Sequence, residues 1–244
     1  MFRDLVASAA GAGVAVCLVV AGPLQLVTTG PLILRAEVFE KAERAEAPAQ
    51  SAAMIIASTG ADQRDGAATR QHDDGAWEPA DGLERTLYTT LADLLVGMAV
   101  SLMLLGAMLF RGDPIDGRRG LLWGAVGFVA ASLLPSLGLP PELPGTPAAD
   151  LLARQTWWLG TAFASAGGLY LLAFGTGWPW RIVALALLVA PHAIGAPQPP
   201  SQEVAYPAEL AGPFVAGSLV VSAALWSLSG LASGWLYRRT SARG

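Results

Sequence analysis

The hydrophobic residues of the chain fall into six long runs that are separated by polar segments. Each run has roughly the 15–25 residues that a helix needs to cross a hydrocarbon core. Within lipid, every backbone amide must be hydrogen-bonded inside its own segment, so the runs are predicted to be helices. Their approximate limits are residues 5–29, 87–110, 120–139, 155–176, 181–195 and 210–237. The predicted fold is an all-α, polytopic bundle of six transmembrane helices, forming one membrane domain over residues 1–244.

Basic residues predict how this bundle is oriented. The basic segments are the N-terminus, the turns after the second and fourth runs, and the C-terminal tail. The alternate segments are poor in basic residues, since residues 140–154 hold one arginine and residues 196–209 hold none. Because basic segments stay on the cytoplasmic side, both termini are predicted to be cytoplasmic. The residues expected to set this topology are Arg111, Arg118, Arg119, Arg238 and Arg239.

The first run has an alternative interpretation as a signal peptide. Residues 1–23 combine a basic start with an apolar core, as secretory signals do. Their apolar run is long for a signal, and no clean small-x-small cleavage site follows it. If the segment were cleaved, five spans would remain and their orientation would not change.

The longest connection, residues 30–86, is predicted to be a partly disordered extracytoplasmic loop. Its first part, PLILRAEVFEKAERAEA, is expected to extend the first helix beyond the membrane. Its middle, about residues 48–76, is rich in Ala, Ser, Gly, Asp and Gln and is expected to be disordered. The Pro-rich outer segments PPELPGTP and APQPPSQEVAYP are expected to form irregular loops. Small residues at four-residue spacing predict close helix contacts at Gly120/Gly124, Gly160/Ala164/Gly168 and Gly230/Gly234.

Composition agrees with a membrane protein and excludes several functional classes. The chain is 53% hydrophobic and 14% charged, whereas a soluble domain averages about 25% charged residues. The net charge of −4 excludes a nucleic-acid surface built on basic residues. No metalloprotease, P-loop or nucleophile-elbow motif is present, so no enzyme activity and no bound cofactor are predicted. The single cysteine, Cys17, excludes an intrachain disulfide.

Polar residues near or within the spans are the candidates for chemistry. Asp93 is the only acidic residue that lies well inside one of the predicted spans. It is therefore expected to face the bundle interior, a cavity or a partner. A neutral or interfacial aspartate bonded to a neighbouring helix is the alternative. His192 could ligate a transition metal with carboxylates from neighbouring helix ends, or it could be an anchoring residue at the interface. In the first outer loop, His72 with Asp73 and Asp74 could capture metal weakly, or could simply be solvated.

Seven segments, in order along the whole chain, carry a resemblance to a known family. They are PLILRAEVFE (31–40), WEPADGLERTLYTTLA (77–92), RRGLLWGAVGF (118–128), LGLPPELPGTPAADLLARQTWW (137–158), PHAIGAPQP (191–199), PAEL (207–210) and SGWLYRR (233–239). On these segments the chain resembles the CbtA family of cobalt transporter subunits. The resemblance implies cobalt uptake linked to cobalamin biosynthesis, a multi-pass location in the bacterial inner membrane, and a small single-span, histidine-bearing partner called CbtB.

The resemblance also supplies candidate metal ligands, with cobalt(II) or a similar divalent ion as the transported substrate. The candidates that lie in matching segments are Glu37, Glu40, Glu84, Glu142, Gln155, His192 and Glu209, and Asp93 joins them from its position in a span. The chain departs from the family in two ways: its first outer loop has only His72 where members often have several histidines, and Asp93 stands where an uncharged amide is expected. A non-conducting accessory protein that assembles a partner transporter is the alternative function. Association of the chain into a homo-oligomer is a separate expectation.

Overall fold

The computed structural model describes residues 2–58, 79–80, 82–112 and 114–241, and within these ranges it contains helices and loops without β-strands. In chain order the helices are α1 (Phe2–Val16), α2 (Gly22–Val27), α3 (Gly30–Ser58), α4 (Leu83–Arg111), α5 (Gly117–Phe128), α6 (Leu134–Ser136), α7 (Leu151–Phe174), α8 (Trp178–Ile194) and α9 (Ala211–Ser241). A π-helical segment, Cys17–Ala21, joins α1 to α2, and a second, Val129–Leu133, joins α5 to α6. A short 3₁₀ helix, Ala208–Leu210, precedes α9.

The predicted all-α membrane architecture is confirmed. Five described helical segments are long and apolar enough to cross a membrane, namely Leu5–Val27, Leu83–Arg111, Gly117–Ser136, Leu151–Phe174 and Ala208–Ser241. The remaining predicted run forms α8, an apolar helix of 17 residues. At 1.5 Å per residue, α8 is about 26 Å long, which is near the lower limit for a span.

Each hydrophobic run is a helix, and most helices extend beyond the run itself. Helix α4 begins at Leu83 rather than near residue 87, and α7 begins at Leu151 rather than near residue 155. The extension of α7 follows from its N-cap, because the Asp150 carboxylate accepts a hydrogen bond from the Ala153 amide at 2.9 Å. Such caps lie in polar sequence outside the apolar run, so hydrophobicity alone does not locate them.

The first part of the long connection is helical, as predicted, but the helix continues further than expected. Helix α3 runs to Ser58, so the prediction of disorder was wrong for residues 48–58. These residues are rich in Ala with Gln and Met, which are strong helix formers, and they follow an existing helix that needs no new nucleation. The rest of the predicted disordered stretch lies outside the described residues. The Pro-rich segments after α6 and α8 are irregular, as predicted.

Close antiparallel helix pairs hold the bundle together. Helix α1 packs against α4 where Gly13 meets the backbone of Gly97, and α5 packs against α9 where Gly120 meets Gly230. The small-residue prediction is therefore confirmed for Gly120/Gly124 and Gly230/Gly234, which face each other. On α7, Gly168 lies against α8, whereas a methyl group added at Gly160 would have nothing within 4 Å. Helices α7 and α8 form a hairpin, and α7 packs on the π-helical segment Val129–Leu133 that follows α5.

Candidate functional site

Antiparallel packing sorts the polar side chains between two ends of the bundle. One end, here called the carboxylate end, contains the start of α3, the starts of α4, α7 and α9, the end of α8, and the loops at residues 137–150 and 195–207. The predicted site residues at this end are Glu37, Glu40, Glu84, Glu142, Gln155, His192 and Glu209. The opposite end, called the arginine end, contains Arg111, Arg118, Arg119, Arg238 and Arg239. The structure thus brings the predicted ligands to one side and the predicted topology-setting residues to the other.

An apolar cluster fixes the loops of the carboxylate end. Ala36 of α3 packs with Leu143, Tyr206 and Phe214, which come from the two Pro-rich loops and the start of α9. The buried Tyr206 hydroxyl lies 2.7 Å from Thr146 Oγ1, which also donates to the Leu143 carbonyl. Because these contacts join three segments far apart in sequence, the loops present their carboxylates from defined positions.

Two of the predicted ligands are ion-paired with arginines at the same end. The Arg85 guanidinium of α4 binds both carboxylate oxygens of Glu37, with Nη1 donating to Oε2 at 2.9 Å. In the second pair, Arg154 Nη2 of α7 donates to Glu142 Oε2 at 2.6 Å. Glu37 is 14% exposed, and both members of the second pair are 27% exposed. A cation that binds either carboxylate must therefore compete with an arginine.

His192 occupies the last turn of α8, where it packs against the start of α7. Its ring lies edge-on to Trp157, with 6.0 Å between the ring centroids, and Trp157 Nε1 donates to the Pro191 carbonyl at 3.2 Å. His192 Nε2 is buried and makes no hydrogen bond to any part of the chain that the structure describes. Trp157 also forms part of the wall of an open cavity of about 570 Å³ between the start of α7 and residues 195–197. One imidazole nitrogen is therefore enclosed by its neighbours and lacks a hydrogen-bond partner among the described residues.

The other predicted ligands at this end do not converge. Glu84 accepts from the Ala80 amide at 3.3 Å ahead of α4, while Gln155 and Glu209 are exposed. Glu40 packs beside Gly145 in the loop before α7. Among the described residues, no group of three or more His, Cys, Asp or Glu side chains could hold a metal ion together. The loop residues His72, Asp73 and Asp74 lie outside the described residues.

Asp93 lies away from this set, on the side of α4 that faces α1. It is nine residues after Glu84, about 13 Å further along the helix axis. The Cys17 thiol of the π-helical segment donates to the Asp93 carbonyl, with 3.1 Å between the sulfur and the oxygen.

At the arginine end, two guanidinium groups pack on aromatic rings, and the backbone amide of Arg119 takes part in a helix cap. Arg111 lies over the Phe174 ring at 4.5 Å from its centroid, and Arg239 lies over Trp235 at 3.8 Å. Asp116 caps α5 by accepting from the Arg119 amide at 2.9 Å. This hydrogen bond, together with the nearby arginine charges, lowers the pKa of the exposed Asp116 carboxyl. These contacts are of the kind that anchor a helix bundle at an interface.

Comparison with known families decides what kind of protein this is. The family model described as "Probable cobalt transporter subunit (CbtA)" matches residues 2–238, nearly the whole chain. The chain belongs to the CbtA family. No curated protein and no solved structure matches this CbtA chain. The family is one of transporter subunits, and a subunit works within a complex, so a CbtA protein acts with a partner. The apolar helices and the family together make this chain a multi-pass membrane protein.

The arginines that pair with Glu37 and Glu142 are the features of this CbtA end that sequence reasoning missed. Arg85 is one residue from the predicted ligand Glu84, and Arg154 is one residue from Gln155, so both lie inside the quoted family segments. A search for opposite charges four residues apart on one helix would not reveal these two ion pairs, because each pair joins different structural elements. The available signal was that both arginines lie in segments otherwise poor in basic residues.

Proposed function

We propose that this chain is the membrane-embedded subunit for uptake of a divalent transition-metal ion, cobalt, in the service of cobalamin biosynthesis. The observation that carries the proposal is the family match over residues 2–238. It is supported by the polarity of the bundle, which gathers glutamates and His192 at one end and exposed arginines at the other. An acidic opening raises the local concentration of cations.

In the proposed topology, six helices cross the bacterial inner membrane and both termini are cytoplasmic. The arginine end then follows the positive-inside rule, and the carboxylate end faces outward. Retention of the first helix is supported by its packing, because Ala9, Ala12 and Cys17 are buried against α4 and α9. The partner proposed for this subunit is a small, single-span, histidine-bearing protein of the CbtB kind.

The metal-binding step is proposed to begin at His192 and Glu142. His192 offers a buried nitrogen without a partner among the described residues, and Glu142 offers a carboxylate held by an arginine. Nitrogen and oxygen ligands together suit borderline divalent metals. The remaining ligands would come from the bound ion's own water or from the partner, since the described residues do not assemble three. Glu37, Glu40, Glu84, Gln155 and Glu209 are proposed to attract the ion electrostatically.

The test is cobalt accumulation in cells that carry the complete transporter with single substitutions. His192→Ala and Glu142→Ala are each expected to reduce accumulation, whereas Glu203→Ala, an exposed glutamate at the same end, should not. Arg154→Gln should raise the apparent affinity for cobalt, because it removes the cation that competes for Glu142. Unchanged accumulation in both His192→Ala and Glu142→Ala would refute the proposed entry site.

A non-conducting accessory role is the second candidate, and one observation favours it. Two of the predicted ligands are already neutralised by arginines, and the described residues contain no three-ligand group. Cobalt flux into liposomes separates the candidates. Flux with the purified chain alone establishes a conducting subunit. Flux that requires the added partner and is unchanged by His192→Ala and Glu142→Ala in this chain favours the accessory role.

A further inference from the structure

Asp93, which contributes its backbone carbonyl to the interface between α1 and α4, carries a carboxylate that the proposed uptake site does not use. This α1–α4 interface is formed by Gly13 and Cys17 on one side and by Asp93 and Gly97 on the other. Asp93 is four residues before Gly97 and seven before Val100, both of which are buried. Since residues at these spacings share one face of a helix, the half-buried Asp93 belongs to the face of α4 that packs into the bundle.

Among the residues that the structure describes, the elements packed around Asp93 place no positive charge beside it. From Leu5 to Thr29, the first helical segment has one titratable side chain, Cys17. Helix α9 has none between Ala211 and Leu236, and the ionisable residues of α5, Arg118 and Arg119, lie at the arginine end. On α4 itself the nearest cation is Arg85, eight residues or about 12 Å away, and it is bound to Glu37.

An unpaired carboxylate at this depth requires a neutralising cation. Placing an ionised side chain within a bilayer costs at least about 2.5–3.5 kcal/mol, so a carboxylic acid is favoured over a carboxylate. A divalent metal at Asp93 would need its other ligands from water or a partner, because Asp93 belongs to no group of three His, Cys, Asp or Glu among the described residues. A proton needs only the carboxylate itself.

The position of Asp93 also gives its charge a mechanical consequence. The interface is tightly packed, because a methyl group added at Gly13 would lie 2.5 Å from backbone atoms of Gly97. Directly beside it, α1 changes to the π-helical segment Cys17–Ala21, and π-helical turns within α-helices are frequent at functional sites. Ionisation would draw water into this contact, so the packing of α1 on α4 depends on the proton.

We propose that Asp93 is a proton-binding site within the bundle, at which protonation holds α1 against α4 and proton release loosens it. The group is a single carboxyl that exchanges its proton with water from the carboxylate end. If the chain transports cobalt as proposed above, this site supplies a coupling ion. Proton binding itself does not rest on that proposed function.

Infrared spectroscopy of the full chain in liposomes tests the proton site without any metal. At pH 7, exposed carboxyl groups are ionised, so a protonated-carboxyl band reports a desolvated acid. The wild type is expected to show this band and to lose it at alkaline pH, and Asp93→Asn should lack it. Asp116→Asn, which removes an exposed carboxylate while keeping a cap residue, should retain the band. Identical spectra for the wild type and Asp93→Asn would overturn the proposal, as would loss of the wild-type band on adding cobalt(II) at constant pH.

The coupling role is tested separately by the pH profile of cobalt uptake. The wild type is expected to show uptake that depends on the proton gradient, and Asp93→Asn should lose that dependence while residual downhill flux remains. A gradient dependence that is the same in both proteins would overturn coupling through Asp93. If neither protein transports cobalt, the uptake proposal fails while the infrared result still decides whether Asp93 binds a proton.

Discussion

The α1–α4 interface predicts a large difference between two Gly→Ala substitutions of identical chemistry. In Gly13→Ala, the new methyl group would stand 2.5 Å from the carbonyl carbon and oxygen of Gly97 and from the Met98 nitrogen. Ordinary contact begins at 3.4 Å, so the two helices must separate locally by about 0.9 Å. All three neighbours are backbone atoms, so no side chain can rotate away to make room.

The cost of this separation can be estimated from packing. Overpacking a close-packed site typically costs about 1–3 kcal/mol. A gap of 0.5–1 Å also forfeits about a quarter to a half of the dispersion energy of the atoms that move apart. Against this, alanine is favoured over glycine in a helix by up to about 1 kcal/mol. The matched control is Gly106→Ala in α4, where the added methyl group meets nothing within 4 Å.

The assay is the free energy of unfolding in mixed micelles, monitored by tryptophan fluorescence of the purified full chain. Gly106→Ala is expected to be neutral or slightly stabilising. Gly13→Ala should be less stable than Gly106→Ala by about 1–3 kcal/mol, because both share the gain in helix propensity and only one has the clash. Equal stabilities for the two variants would refute the close contact between α1 and α4. The same result would also remove the structural basis for linking Asp93 to the first helix.

Two further predictions concern the two ends of the bundle. At the arginine end, the lowered pKa of Asp116 means that its cap stabilises the fold above the ordinary aspartate pKa of about 3.9, and that this contribution is lost as the pH falls through the lowered value. Unfolding measured against pH should therefore show a difference between wild type and Asp116→Ala at neutral pH that shrinks in acid; a difference that grows in acid contradicts the cap. At the carboxylate end, Tyr206→Phe should cost about 0.5–1.5 kcal/mol by removing the hydrogen bond to Thr146. Thr146→Val also removes the hydrogen bond to the Leu143 carbonyl, so the double variant should lose more than Tyr206→Phe but less than the sum of the two single losses. Fully additive losses would argue against the bond between Tyr206 and Thr146.

The helices were predictable from sequence because lipid imposes a strong, local rule. A segment such as 210–237 must satisfy its own backbone, so its apolar length alone identifies a helix, and the structure gives Ala211–Ser241. The end of α3 was not predictable in the same way. Residues 48–58 are outside any apolar run, and composition that suggests disorder in isolation can remain helical when it continues a helix that is already packed through Ala36.

Helix contacts could be predicted in part. The Gly120/Gly124 and Gly230/Gly234 pairs were visible because the spacing of four places both glycines on one face of each helix. The Gly13–Gly97 contact was not predicted, although Ala9/Gly13 and Gly97/Ser101 are also small residues at a spacing of four. In α7, the same small-residue spacing gave one glycine in contact and one without a neighbour, so spacing locates a surface that can pack closely but not its partner.

The candidate site was predictable as a location but not as a geometry. Counting arginines along the sequence was enough to place Glu142 and His192 at one end, because helix direction alternates from run to run. Glu142 is ion-paired because the loop between α6 and α7 places its carboxylate beside Arg154 of α7. Such a contact between a loop and a helix has no sequence period. The pairings of Glu37 and Glu142 change the expected chemistry from a purely acidic opening to one in which two of the carboxylates are held by arginines.

This change has a consequence for how the carboxylate end could handle a divalent ion. Solvent-exposed ion pairs contribute about 0–1 kcal/mol, so an arginine is displaced from Glu142 at small cost, and more easily at high salt. His192 differs, because its buried nitrogen makes no competing hydrogen bond within the described chain. Binding at His192 breaks no hydrogen bond but must uncover its enclosed nitrogen, whereas binding at Glu142 must displace Arg154. A metal that reaches this end is expected to bind the imidazole first and then to replace Arg154 at Glu142. Loss of His192 should therefore impair uptake at every cobalt concentration. Loss of Glu142 should be overcome as the cobalt concentration is raised.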